Sequence, residues 1–195
     1  MTRGERRLAE RLEAKLESDY LIWYDVPVGR KKRHPDFIIF HPRRGVLVLE
    51  VKDWRAENIR SIDRAQVELL TQDGIKHQLN PFEQSRQLAE QVADLLDPDP
   101  LLVNAPSAAR RGKLCFPWSF GVVLPMITRM QFDEAGLSKV IPEQRVIYAD
   151  EMHEGISAER FQKRLWLMFP SQPAKPLSSR QIERLRWHLF PEIRI

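Results

Sequence analysis

The chain has 195 residues, 43% hydrophobic and 30% charged, with 31 basic side chains against 27 acidic ones and a formal net charge of +4. No apolar run approaches the roughly 18 residues that a bilayer-spanning helix needs, and the charged residues 1–7 lack the apolar core of a signal peptide. A single cysteine, Cys115, excludes an internal disulfide framework and any multi-cysteine zinc site, and it fits a reducing, cytoplasmic setting.

Leu8, Leu12 and Leu16 recur every four residues and predict a helix over 4–17. Glu5 sits at the head of that apolar stripe. Thr2-Arg3-Gly4-Glu5 has the form of a capping box, so Glu5 is either a cap or a site residue. Residues 20–28, aromatic and branched, predict a strand. The basic connection that follows holds Arg30, Lys31, Lys32 and Arg33. It is either a solvated hairpin loop or a grip on phosphate, and the second reading gains from Asp36 just downstream.

Residues 36–40 predict a strand, His41-Pro42-Arg43-Arg44-Gly45 a turn, and the aliphatic run from Gly45 to Leu49 a central strand covered on both faces. That run ends in Glu50-Val51-Lys52-Asp53-Trp54, where Glu50 and Lys52, two apart, share a face. A hairpin symmetric about Arg43 sets Phe40 opposite Val46, Ile38 opposite Val48 and Asp36 opposite Glu50. Opposed side chains have Cβ atoms roughly 5 Å apart. Two carboxylates that close, beside a lysine, call for a shared proton or a cation.

Weak strand signals at 66–70 and 75–79 flank the hairpin turn Asp73-Gly74. Asn80-Pro81-Phe82-Glu83-Gln84 opens a helix running to Leu96, with Leu88, Val92, Leu95 and Leu96 on its apolar face. Gln84 lies one turn before Leu88 and is either a satisfied core amide or a site group. Residues 97–113 read as an irregular excursion or insert. Strands are expected at 119–125 and 145–149, a helix at 159–169, and a last helix from a cap at Ser178 to Leu189. The order predicts an α/β fold with a mixed sheet of five or six strands and helices packed on it. Residues 1–170 are expected to form the main domain. The segment 177–195 reads as a C-terminal helix, open to being a linker to a further domain of a longer protein.

Pro35-Asp36, thirteen intervening residues and Glu50-Val51-Lys52 form the pattern PD-(D/E)-x-K. The sequence resembles the PD-(D/E)XK nuclease superfamily there. More narrowly it resembles the nuclease-related domain, or NERD, family. The likeness rests on Gly4-Glu5, on Asp36 before an aliphatic strand, on Gly45 through Lys52 with Trp54 following, and on Asn80-Pro81 with Gln84; it covers about residues 1–97. One departure is that the Gln-Ile-Asp-His-like run common in the family reads His34-Pro35-Asp36-Phe37 here, with no histidine after the aspartate. The resemblance implies a restriction-endonuclease-like sheet and metal-dependent hydrolysis of phosphodiester bonds in DNA, in a DNA-processing or helicase-containing protein. It implies that Asp36, Glu50 and the Val51 carbonyl bind Mg²⁺, with Mn²⁺ as a substitute. Lys52 would orient or deprotonate the attacking water, Glu5 would bridge to a second metal or hold Lys52, and Gln84 would orient the water or a phosphate. Two other readings stand beside this one: a catalytically silent nucleic-acid-binding or docking module on the same fold, and a structural domain in which Glu50 and Lys52 are a strand-end salt bridge.

Overall fold

A computed structural model describes residues 1–29, 32–105, 112–169 and 175–189. The first helix, α1 (Arg3–Lys15), starts on the expected capping box: Thr2 Oγ1 accepts from the Glu5 N–H, and the Glu5 carboxylate accepts from the Thr2 N–H. β1 (Leu21–Tyr24) is shorter than the residues 20–28 expected. It stops where Asp25 takes a positive φ of 52°, a conformation that ends an extended run.

β2 (Phe37–His41) and β3 (Gly45–Val51) are buried along their whole length, which their continuous apolar runs require. Their antiparallel register puts Phe40 opposite Val46 and Ile38 opposite Val48, as the sequence predicts. The turn is tighter than expected, since His41 pairs with Gly45 and only three residues lie between them. Gly45 has φ +86°, and a Cβ there would lie 1.8 Å from the Pro117 carbonyl oxygen. Only glycine meets both conditions.

β4 (Ile59–Ile62), β5 (Gln66–Thr71) and β6 (Gly74–Leu79) form a separate three-stranded antiparallel sheet. The mixed sheet of five or six strands that the sequence predicts is the five-stranded main sheet; the strands expected at 66–70 and 75–79 do not join it but pair with β4 in a sheet of their own. β4 gave no sequence signal because Ile59-Arg60-Ser61-Ile62 is short and interrupted by a register shift against β5. α2 (Pro81–Leu96) is capped by Asn80, whose side chain accepts from the Phe82 N–H. After it come β7 (Trp118–Leu124), α3 (Arg129–Glu134), β8 (Val146–Tyr148), α4 (Ala158–Trp166) and α5 (Ser179–Leu189). The main sheet runs β1-β2-β3-β7-β8, antiparallel through β3 and parallel from β3 to β8.

The alternation of side chains sorts the helices between the two faces of this sheet. Ile38, Phe40, Val46 and Val48 pack with Leu88, Val92 and Leu96 of α2 and with Leu185 and Leu189 of α5. Phe37, Ile39, Leu47 and Leu49 face the other way, onto Leu8 and Leu12 of α1 and Phe161 and Leu165 of α4. The stretch between α2 and β7 adds Leu102, Leu114 and Phe116 to the α2 side. Its buried Asp99 binds Arg184 at 2.7 Å and His188 at 2.8 Å, which ties α5 to the same core. A third cluster joins Val122, Val146 and Tyr148 to Phe132 and Leu137, with Ile59 and Ile62 of the small sheet against it.

Replacing Gly45 with alanine combines left-handed backbone strain with a collision against Pro117. The Gly45→Ala protein is expected to lose about 3 kcal/mol or more in a urea melt. An unchanged midpoint would mean the turn relaxes freely and does not fix the β2–β3 register.

Candidate active site

Asp36, Glu50 and Lys52 have the same parity as the residues that face α2. The register that pairs Ile38 with Val48 puts Asp36 opposite Glu50 one step beyond the ladder, on that same face. The ends of both strands are pinned through the backbone. Asp36 Oδ2 accepts from the Val51 N–H at 2.7 Å, and the Lys52 N–H donates to the Val123 carbonyl of β7 at 2.9 Å. Lys52 Nζ donates to Glu50 Oε1 at 2.7 Å. The first turn of α2 brings Gln84 onto the same oxygen, its Nε2 donating at 2.5 Å. Gln84 is thus held in the site by Glu50, although helical spacing alone permitted a core role.

Glu50 is 2% exposed. Burial pushes its carboxyl up to about 7; Lys52 opposes this and Asp36 adds to it. Burial also raises Asp36, against the Val51 N–H that favours its charged form. Glu50 Oε1 takes both donors, while Oε2 is buried and has no hydrogen-bond partner among the described residues.

Glu5 comes from the other side of the sheet. Its Oε2 accepts from Tyr24 Oη at 2.7 Å and from the Thr2 N–H at 2.9 Å. Burial by itself raises the Glu5 carboxyl, but the bonds from Tyr24 and Thr2 outweigh it and hold the group below its usual range. The same bond to Glu5 pushes Tyr24 up to about 12. The partner of Lys52 is Glu50, not Glu5. The reach of Glu5 to Asp36 and Glu50 is through its charge, which raises both. Phe37, standing where the expected motif has histidine, packs on Tyr24 with ring centroids 5.3 Å apart, on the α1 side. His34 Nδ1 lies 3.0 Å from Asp25 Oδ1.

Two participants were missed by sequence reasoning. Asp53 Oδ2 accepts from the Gly4 N–H at 3.0 Å and so joins the strand end to the start of α1. Its signal was its place directly after Lys52. Tyr24 offered no signal beyond a strand-like neighbourhood. Of the basic loop, Arg30 and Lys31 lie outside the described residues. Lys32 is exposed with φ 45°, and Arg33 donates to Gln87 of α2 at 3.2 Å. Gln87 is three residues after Gln84, so this side of the loop rests on the helix face that supplies the site.

The family model of the nuclease-related domain (NERD) matches residues 2–117. The chain belongs to this family. Asp36, Glu50, Lys52, Glu5 and Gln84 all fall inside the matched region, while β7 and all that follows lie outside it. Neither the curated proteins nor the solved structures gave a match. No helix among the described residues is long and apolar enough to cross a membrane.

The NERD site meets one test for a hard divalent cation. Two carboxylates converge on one face, and one buried oxygen, Glu50 Oε2, has no donor. Mg²⁺ is commonly held by one or two carboxylates, with waters and substrate oxygens filling the other positions. Among the described residues no three His, Cys, Asp or Glu side chains gather as a cage, so a bound ion would use this sparse donor set with the Val51 carbonyl.

The raised Glu50 carboxyl has a consequence for stability. Its ordinary value is 4.5 and its value in the fold about 7, so between these the folded chain keeps a proton that the unfolded chain has lost. Stability contributed at this position therefore falls as pH rises from about 4.5 to about 7 and levels off above. In metal-free protein, Glu50→Gln is expected to gain on wild type by about 1–3 kcal/mol between pH 4.5 and pH 8 in urea melts. Parallel pH profiles would show that Glu50 ionises in the fold at no extra cost.

Proposed function

We propose that this NERD domain is a metal-dependent nuclease that hydrolyses phosphodiester bonds in DNA. The observation that carries the reading is the buried Glu50. It is opposed by Asp36, gripped through one oxygen by Lys52 and Gln84, and left with its second oxygen unpartnered.

Asp36, Glu50 and the Val51 carbonyl would hold Mg²⁺, or Mn²⁺ in its place. When bound, the ion neutralises charge on the phosphate oxygens and makes a water more acidic. The chain's own groups supply the rest. Lys52, held in place by its bond to Glu50, presents an ammonium that offsets the negative charge gathering on phosphorus as water adds and the ester oxygen leaves. Gln84 spends its amide N–H on Glu50, which leaves its carbonyl oxygen free to accept from the attacking water and aim it. Arg33 and Lys32, with Arg30 and Lys31 of the same loop, would hold the backbone of the DNA beside α2. The family resemblance carries the wider proposal of a role in DNA processing next to a helicase motor, in a cytoplasmic setting.

One observation favours a second reading, a catalytically silent binding module. Glu5 is committed to Tyr24 and Thr2 on the far side of the sheet, which leaves two carboxylates rather than three at the site.

Labelled single- and double-stranded DNA, incubated with the protein and Mg²⁺ or Mn²⁺, decides between them. The nuclease reading expects cleavage that stops on chelation. It also expects Asp36→Ala and Lys52→Ala to lower the rate about 100-fold or more, in line with losing one charge-stabilising group. Equal cutting by wild type and variants, or binding without cutting by all of them, would remove it.

A further inference from the structure

Several arginines of this fold have a carboxylate beside them: Arg86 binds Glu83 and Glu90, Arg164 binds Glu151, and Arg184 binds Asp99. Arg3, Arg6 and Arg7 of α1 have none among the described residues. Arg7 donates to the carbonyl oxygens of Pro125 at 2.8 Å and Ala149 at 3.0 Å, which fixes its guanidinium but leaves its charge uncompensated. Arg3, Arg7 and Arg11 recur every four residues and form one stripe along the helix.

The stripe lines a groove of about 430 Å³ together with Arg6 and His153. Arg11 is 8% exposed, and its Nε is buried without a hydrogen-bond partner among the described residues. Its Nη2 stands 3.8 Å from Glu10 and 3.7 Å from Glu154, both exposed and too distant for hydrogen bonds. Four arginines therefore face two carboxylates. The single apolar residue of the lining, Met152, is fully buried, so the groove offers none of the apolar anchors on which protein partners depend. A second hollow, lined by Arg3, Gly4 and Arg7 with Pro125, Met126 and Ala149, adjoins it at the start of α1. There the Gly4 N–H meets Asp53, one residue after Lys52.

We propose that this arginine groove is a binding site for the phosphates of a nucleic-acid strand on its way to or from the Asp36–Glu50 site. The planar guanidinium fork suits phosphate oxygens, and a row of charges at helical spacing suits a repeating polyanion. Arg33 at α2 lies on one face of the main sheet and the groove at α1 on the other. A nucleic-acid strand bound to both would pass over the end of β3 at the site. The inference rests on the nuclease reading for its choice of ligand.

The test is fluorescence anisotropy of a labelled oligonucleotide, single-stranded and duplex, with the full chain in EDTA over a range of salt. Arg3 and Arg6 are exposed, and an acidic residue in the first turn of a helix is favourable, so the Arg3→Glu, Arg6→Glu double variant should fold. Its affinity is expected to fall tenfold or more. The slope of log affinity against log salt should drop by about 1.4 or more for a single strand, the loss of two phosphate contacts. The exposed pair Arg180→Glu, Arg186→Glu on α5 is the charge-matched control and should change affinity less than about threefold. Unchanged binding by the α1 variant, an equal loss in the control, or no binding by wild type would overturn the proposal. So would competition by poly-glutamate as strong as by unlabelled oligonucleotide, since the groove would then be a surface for acidic proteins. Wild type that binds through this groove but cuts nothing with Mg²⁺ or Mn²⁺ would remove the nuclease reading and leave the groove standing. A cutting enzyme whose α1 variant binds normally would do the reverse.

Discussion

Everything in the site depends on one buried charge. Glu50 lies near the end of the central strand of the main sheet, 2% exposed, where an isolated carboxylate is costly. Two donors on a single oxygen, Lys52 Nζ and Gln84 Nε2, make it tolerable without fully satisfying it. The residual cost appears as a carboxyl pushed up to about 7 and a second oxygen with no partner among the described residues. A strand end built for stability alone would have closed that oxygen off or carried an apolar side chain. The unsatisfied half of Glu50 is where an incoming cation gains most, because it meets a charge already stripped of water.

Placing that charge is a matter of register. A slip of one residue between β2 and β3 would send Asp36 to the α1 face and dissolve the pair. Three features prevent it. Gly45 fits against the Pro117 carbonyl with no room for a side chain, the Asp36 carboxylate is tied to the Val51 N–H, and the Lys52 N–H is tied to β7. β7 lies outside the region matched by the family model, yet it supplies the backbone partner that pins the end of β3. The NERD region and the rest of the chain therefore share one sheet, and the site would not survive a cut between them.

The legible parts of the sequence were those where one local rule dominated. Four aliphatic residues before Glu50 announced a doubly covered strand, and the spacing about Arg43 gave the register. Asn80-Pro81 fixed where α2 begins and hence where Gln84 points. The illegible parts were those decided by partners distant in the chain. Glu5 satisfies the capping box and, through Tyr24, a bond from α1 to β1, and no pattern around residue 5 reveals that Tyr24 will arrive there. The small sheet was half visible: the Asp73-Gly74 turn marked β5 and β6, but β4 pairs through an irregular register that periodicity does not encode. The arginine stripe of α1 was present in the sequence at helical spacing. It carried no information until the structure set it along one groove in which four arginines face two exposed carboxylates.

The two faces of the sheet perform different electrostatic tasks, and the link between them is short. On the α2 face, Asp36 and Glu50 are both raised by burial, and a cation would lower the cost of their charge. On the α1 face, Glu5 is already paired by neutral donors and held charged. A fixed negative charge there disfavours ionisation of Asp36 and Glu50, which strengthens their demand for a positive partner. If Glu5 instead ligated the ion directly, Tyr24 and the Thr2 cap would have to be released first, at the cost of two hydrogen bonds of about 1 kcal/mol each and the start of α1. The economical arrangement keeps Glu5 where it is, anchoring the helix whose arginines face outward and biasing through space the carboxylates that face inward.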